Sequence, residues 1–365
     1  MRAAIMEAPS QDLTIASDVD VAPPQAGEVL VRMVACGVCH SDLHFLDASL
    51  PAVPPAILGH EAAGVVEEVG PGVSHLQPGD KVILTLRPAC GHCYWCIRGE
   101  GQLCPEATAA NTATTADGSP RITSGGRAVS QPLGIAAFAE RVVTQASGAV
   151  KVPEDTPLDI ACVLGCAVQT GVGAALNTAR IEEGATVMIV GLGGIGISIA
   201  QGARLAGASR VIGVDPLESR REQSLGFGVT DVVDPAAGDV AAAAMGLTGV
   251  GVDYAFDAVG RAALVESCIG ATRPGGTAVI VGVPRMDERV SVPALFFALG
   301  EKKLKGCFLG SSNFAREVPR LLSLWRAGRL DLEGMITARR PLDDINLAFA
   351  DMKAGTGLRT VIEMS

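Results

Sequence analysis

The chain has 365 residues, 48% of them hydrophobic and 19% charged. That balance excludes general disorder, and the length points to two domains rather than one core. A formal net charge of -10 argues against a nucleic-acid partner, whose phosphates would repel it.

Read in chain order, Met1 to Glu7 carries no apolar stretch of signal-peptide length, so a cytoplasmic location with reduced thiols is expected. Up to about residue 155 the text reads as short strands punctuated by Gly and Pro. Gly27 to Val34 and Gly64 to Gly70 are two, and the turn Gln77-Pro78-Gly79-Asp80 leads into a third, Lys81 to Leu84. Ala107 to Ser130, rich in Ala, Thr, Ser and Gly, reads as a long loop. Past Pro157, apolar strands alternate with Ala-rich helical segments, the pattern of βαβ units on a parallel sheet. Strands are expected at Thr186–Val190, Val211–Val214, Tyr254–Phe256 and Thr277–Val281. The uncharged runs 161–179 and 184–203 approach the length of a bilayer span, but glycines interrupt both, and they read as buried core. After residue 308 the chain becomes amphipathic, with a helix expected over Val318 to Trp325.

Ten cysteines could make bridges or bind metal, and their placement favours metal. Six lie between Cys36 and Cys104, and all five histidines between His40 and His92. Cys90, Cys93, Cys96 and Cys104 form C-x2-C-x2-C-x7-C. Two-residue gaps let a tight loop aim successive sulfurs inward, and four thiolates close a tetrahedron around Zn²⁺ with no open position, which makes such a site structural. Buried free thiols and an iron–sulfur cluster are the weaker readings, since the rest of a ferredoxin run is missing. A second set of ligand types stands in Cys36-Gly37-Val38-Cys39-His40-Ser41-Asp42 and Gly59-His60-Glu61. Alone, each is equally compatible with a redox C-x-x-C or a structural histidine.

Gly191-Leu192-Gly193-Gly194-Ile195-Gly196 follows the apolar run Thr186–Val190 and precedes a helical pattern. In that context G-x-G-x-x-G binds a dinucleotide: one glycine for the turn, one to admit the pyrophosphate, one for helix packing. Asp215 closes the next strand, nineteen residues after Gly196. A carboxylate there binds the adenosine ribose hydroxyls and repels a 2′-phosphate, favouring NAD over NADP.

Taken together and in this order, the motifs resemble the zinc-dependent alcohol dehydrogenases of the medium-chain dehydrogenase/reductase family. The resemblance runs from the opening strands to Leu358-Arg359-Thr360-Val361-Ile362. It implies an α/β fold with a GroES-like, mostly-β catalytic domain (1–165 and 309–365) and a Rossmann, doubly wound parallel-sheet NAD-binding domain (166–308). It makes Cys39, His60 and Cys166 ligands of a catalytic zinc. Spacing alone leaves Cys162 an equal candidate, and the family's Gly-Cys before Gln169-Thr170-Gly171 favours Cys166. Glu61 resembles the carboxylate beside that metal, and Asp42 the group that orients the histidine ligand.

The same resemblance has Ser41 contact the substrate oxygen and His44 relay its proton to solvent. Arg220 and Arg261 match positions around the adenosine end, His40 and Arg359 positions at the pyrophosphate, and Thr170, Ile195 and Val281 positions at the nicotinamide. Substrate-lining positions fall on Ser41, Leu50, Leu86, Pro132, Leu133, Val283 and Phe308. Leu86 and Pro132 stand where several relatives have aromatic rings, so a preference for bulky apolar or aryl primary alcohols over ethanol is expected. Two zinc ions per chain, NAD, a small alcohol or aldehyde substrate, no membrane, and a homodimer or homotetramer paired across an edge strand at Leu304 to Leu309 complete the expectation. Three alternatives stay open. A thiol-dependent formaldehyde dehydrogenase is one, although Pro105-Glu106-Ala107-Thr108 stands where its glutathione-dependent members have a basic residue and Ser49-Leu50-Pro51 lacks an acidic one. The others are an enzyme that holds NAD through turnover and a non-catalytic zinc protein.

Overall fold

The structure is a computed structural model that describes residues 1–109, 114 and 118–364. They form two compact units: Met1–Cys166 with Asn313–Gly328 and Leu332–Ser365, and Ala167–Ser312 with Arg329–Asp331. Cys166 therefore groups with the first unit and residues 309–312 with the second, a few residues off the expected borders.

The main sheet of the first unit has the order Ala149–Lys151, Lys81–Leu84, Glu61–Val69, Glu28–Gly37, Arg359–Glu363, Ile336–Pro341, with Arg141–Gln145 also on Glu28–Gly37. Glu28–Gly37 is its spine. Val29, Val31 and Met33 are buried while Arg32 is exposed, the period-two alternation of a strand with one face in the core. Each such buried side chain contributes roughly 1.5–3 kcal/mol. The C-terminal strand returns antiparallel to it, with Val361 opposite Gly37 and Ile362 opposite Cys36. That pairing is why the tail belongs to this unit.

The expected loop over 107–130 needs correction. Within it, Ile122–Ser124 and Arg127–Val129 form an antiparallel hairpin that joins Val19–Val21. Gly125 and Gly126 both have positive φ (55° and 78°), so this pair makes the turn that larger residues resist. Arg121, at the start of the hairpin, donates two hydrogen bonds (2.9 and 2.7 Å) to the buried Glu28 carboxylate. The Ser, Thr and Gly content hid these strands. Residues 110–113 and 115–117 of that expectation lie outside the described residues.

The second unit carries six parallel strands in the order Asp231–Val233, Arg210–Val214, Thr186–Val190, Val252–Asp257, Thr272–Ile280, Lys303–Gly306. Reading outward from Thr186–Val190 in both directions gives the 3-2-1-4-5-6 order of a doubly wound dinucleotide fold. The edge strand ends at Gly306, not at Leu309. Leu309, Gly310 and Ser311 have φ of 47°, 68° and 48°, a left-handed run that cannot continue a strand. Asn177 Nδ2 donates to the Gly310 carbonyl at 3.2 Å, and the Thr178 and Ser311 hydroxyls lie 2.7 Å apart, which holds the run in place. The helix expected at Val318–Trp325 spans Phe314–Arg326, with Asn313 accepting from the Arg316 N–H at its start. Among the described residues no single helix is long and apolar enough to cross a membrane.

Candidate functional site

The four-thiol loop is built locally. A short helix at Tyr94–Ile97 and a 3-10 turn at Gly101–Leu103 fold the chain back on itself, and the four ligand atoms of Cys90, Cys93, Cys96 and Cys104 lie within 4.8 Å of one another. Sγ of Cys90 is 3.9 Å from that of Cys96, and Sγ of Cys93 is 3.9 Å from that of Cys104. A zinc–sulfur tetrahedron with bonds of about 2.3 Å has edges of about 3.8 Å, so the sulfurs fit that ion. Backbone N–H groups of Cys93 and Cys90 donate to the sulfurs of Cys90 and Cys104, each at 3.4 Å. Against desolvation, such donors from Cys90 and Ala107 draw Cys104 down to about 7. Desolvation and the neighbouring thiols push Cys96 up to about 12. Four thiolates so close cannot all stay ionised without a bound cation.

The second cluster is assembled from distant sequence. Cys39 precedes the helix His40–Leu46, His60 precedes the strand Glu61–Val69, and Cys166 links the 3-10 turn Cys162–Gly165 to the helix Ala167–Gly173. Their ligand atoms lie within 4.8 Å of one another, and all three residues are buried. Of the two cysteines that spacing left equal, Cys166 sits in the cluster. The Cys162 thiol donates instead to the Asp159 carbonyl at 3.5 Å. Gly59 turns the chain just before His60. Its φ is +92°, and a Cβ there would lie 2.7 Å from the Phe138 nitrogen.

Asp42 organises the cluster. Its Oδ1 lies 3.1 Å from His60 Nδ1 and accepts the Gly59 N–H at 2.9 Å, while Oδ2 accepts the Cys39 N–H at 3.2 Å. A carboxylate at Nδ1 keeps the proton there and leaves Nε2 as a lone pair. His60 Nε2 is buried with no hydrogen-bond partner among the described residues. A buried ring nitrogen without a partner is costly, and a metal beside two thiols removes that cost. The donor set therefore fits zinc. Burial disfavours charge on His60, but Asp42, then Cys39, raise its pKa well above the ordinary value. Cys39 is pulled well below the thiol range, first by its hydrogen bond with Cys166 and then, against burial, by His60 and Arg359. Cys166 moves the opposite way, raised first by its hydrogen bond with Cys39 and then by burial. Arg359 lies 3.4 Å from Glu61 and donates to the Val38 carbonyl at 2.7 Å. Burial is the largest single influence and opposes its charge, but the Glu61 carboxylate and the Cys39 and Cys166 sulfurs together raise its pKa.

Around this cluster, the Ser41 hydroxyl oxygen lies 3.8 Å from the Cys39 sulfur. His44 stands three residues on in the same helix, with Nδ1 buried and without a partner among the described residues. His40, the first helical residue, is exposed. Leu50 and Leu86 pack against the core of the first unit, Leu133 is buried and Pro132 half-buried. Val283 and Phe308 belong to the second unit, where both are exposed.

In the second unit, the glycine motif links Thr186–Val190 to the helix Gly194–Leu205. A Cβ on Gly196 would lie 1.9 Å from the Gly191 carbonyl, whereas one on Gly193 would meet only Arg220 Nη1 at 3.9 Å. Gly196 serves packing, and Gly193 leaves room above a helix start whose N–H groups attract phosphate. Asp215 is held by the N–H groups of Leu192 (2.8 Å) and Leu217 (2.9 Å), with Arg220 at 3.9 Å. The Thr170 hydroxyl oxygen is buried and lacks a partner among the described residues. Ile195 is half-buried, Val281 is buried, and Arg261 is exposed just before the helix Ala262–Ala271. Sequence reasoning missed Asp257. Its carboxylate accepts the N–H groups of Val259 and Gly260 at 3.0–3.1 Å and so fixes the turn that carries Arg261. An acidic residue closing a strand, as at Asp215, was the available signal.

Sequence profiles match the Alcohol dehydrogenase GroES-like domain over residues 25–154 and the Zinc-binding dehydrogenase family over residues 194–325. The chain is 38% identical over 370 residues to alcohol dehydrogenase 1 of Pisum sativum, covering 100% of this chain and 97% of that protein. Benzyl alcohol dehydrogenase from Acinetobacter calcoaceticus superposes with a TM-score of 0.94 at 30% identity, covering 100% of this chain and 99% of that one. A zinc-binding dehydrogenase from Sinorhizobium meliloti 1021, solved bound to NADP, superposes with a TM-score of 0.82 at 27% identity and covers 100% and 99%.

Proposed function

The chain belongs to the zinc-binding alcohol dehydrogenases of the medium-chain dehydrogenase/reductase family, and from that premise we propose that it interconverts alcohols with aldehydes or ketones by hydride transfer to NAD. The reading extends to two zinc ions per chain, one at Cys39, His60 and Cys166 and one at Cys90, Cys93, Cys96 and Cys104. The observation that carries it is the buried two-thiol, one-imidazole cluster whose histidine is oriented by Asp42. Three protein ligands leave a fourth position for substrate. When bound there, zinc supplies Lewis acidity toward the substrate oxygen, and NAD in the second unit supplies the hydride acceptor.

The protein's own groups do the rest. Asp42 holds the His60 tautomer, and the buried Arg359 balances the Glu61 carboxylate. The Ser41 hydroxyl, beside Cys39, takes the hydroxyl proton of the substrate and hands it toward His44 for release to solvent. Asp215 holds the adenosine ribose and disfavours a 2′-phosphate. The first unit acts as the catalytic domain and the second as the NAD domain. Leu86 and Pro132, smaller than aromatic rings, support a preference for bulky apolar or aryl primary alcohols, and the similarity to benzyl alcohol dehydrogenase points the same way. Lys303–Gly306 at the sheet edge, with the exposed Leu295, Phe296 and Leu299 preceding it, supports a homodimer or homotetramer. A cytoplasmic location, where thiols stay reduced, suits the cysteine ligands of both clusters. The test is a panel of ethanol, linear alcohols and benzyl-type alcohols with NAD and with NADP. Higher kcat/KM for ethanol, or for NADP, would overturn the substrate or the cofactor assignment respectively.

A further inference from the structure

Four thiolates around Zn²⁺ carry a net charge of about -2. In the loop Cys90 to Cys104 this charge is only partly solvated, because Cys104 is buried and the other three cysteines are half-buried. Backbone N–H donors offset part of it. The loop's own basic side chains are engaged elsewhere: His92 faces Glu106 at 3.3 Å, and Arg98 lies 3.5 Å from Glu100 and over the Tyr94 ring. The cation that enters from outside the loop is Arg87, half-buried in the segment just before it. Its Nη2 donates to the Cys104 carbonyl at 2.7 Å, which brings the guanidinium to the backbone of one of the four thiol residues.

The segment bearing Arg87 is itself pinned. The Arg87 N–H donates to the Thr85 hydroxyl at 3.2 Å, and the Thr85 N–H donates to the Gly148 carbonyl at 2.9 Å. Pro88 packs on Gly148, where an added Cβ would come within 3.0 Å. Leu86 lies between these anchors, partly buried against the core.

We propose that Arg87 is the counter-cation of the four-thiolate zinc site and, through its hold on Cys104, a positioning residue for the substrate wall at Leu86. The inference rests on the proposed structural zinc and substrate wall. It assigns Arg87 no contact with substrate or cofactor. Arg87→Met keeps most of the stem and removes the charge, whereas Arg87→Lys keeps the charge.

The experiment follows chelator-driven zinc release from the purified wild-type enzyme and both variants, together with KM and kcat for an aryl alcohol. Arg87→Met should release one of its two zinc ions about tenfold faster than wild type, at the low end for residues that support metal ligands. It should raise KM about fivefold with kcat within about twofold, and Arg87→Lys should bring release back to within about threefold of wild type. Release from Arg87→Met at the wild-type rate, or equally fast release from both variants, overturns the counter-cation role. An unchanged KM overturns the positioning role. If Arg87→Met does not fold, Arg87→Lys decides: release tenfold faster than wild type overturns the charge argument. A wild-type chain that holds a single zinc overturns the four-thiol reading itself, and the role of Arg87 with it.

Discussion

The two thiol clusters of the first unit place similar atoms at similar distances by opposite means. The four-thiol loop draws its ligands from one short stretch, partly exposed, with its geometry set by a short helix, a tight turn and its own backbone donors. The cluster of Cys39, His60 and Cys166 draws its ligands from three distant segments, buries all of them, and depends on Asp42 and on the turn at Gly59 to aim the imidazole. On the proposed two-zinc reading, a local, closed set of ligands should serve stability, because binding there is coupled to folding of the loop. A dispersed, incomplete set is positioned by the fold, so on the same reading loss of its metal should spare the fold.

The largest expected effect tests that division directly. Cys39→Ala should lower kcat/KM by about a thousandfold, the several kcal/mol of transition-state stabilisation that a Lewis acid supplies. Its melting temperature should move by less than about 3 °C, roughly one kcal/mol for a domain of this size. Activity within tenfold of wild type would remove the distinction between the clusters. Cys93→Ala should reverse the pattern, with a melting temperature lowered by about 10 °C and turnover at 20 °C within about tenfold, read by thermal unfolding beside initial rates. Asp42→Asn sharpens the comparison from the side of His60. It should weaken zinc at the open cluster by about 10–100-fold and leave the four-thiol zinc unmoved, as competition with a chelator would show. The smallest effect should fall outside both clusters. Asp215→Ser should narrow the ratio of kcat/KM for NAD over NADP by about tenfold, or about 1.4 kcal/mol, with zinc content unchanged.

The contrast also explains what could be read from the sequence. The spacing of Cys90, Cys93, Cys96 and Cys104 is the site, because the loop that joins them also shapes it. The glycine motif was legible for the same reason, since strand, turn and helix are contiguous from Thr186 to Leu205. No spacing could choose Cys166 over Cys162, because the choice is made by how two short helices meet the main sheet. The C-terminal tail was legible only through resemblance. Arg359 reaches Glu61 because Arg359–Glu363 pairs with Glu28–Gly37 across most of the chain length. The hairpin Ile122–Val129 was missed because its strands are only three residues each and sit among Ser, Thr and Gly, and the long-range contact of Arg121 with Glu28 anchors its start. The edge strand was read too long because the apolar run Cys307-Phe308-Leu309 follows directly on its end. It stops at Gly306, three residues before the left-handed run that starts at Leu309 and is held by Asn177 and Thr178. Arg87 and Asp257 escaped notice because each acts on backbone groups of a neighbouring turn, which leaves no motif in the sequence.

Zinc content per chain, measured by elemental analysis on wild type and on Cys39→Ala purified side by side, tests the two-site assignment most directly. Wild type should hold two zinc ions and Cys39→Ala one, in a chain that remains folded. One zinc in the wild type, or two in the variant, would contradict it.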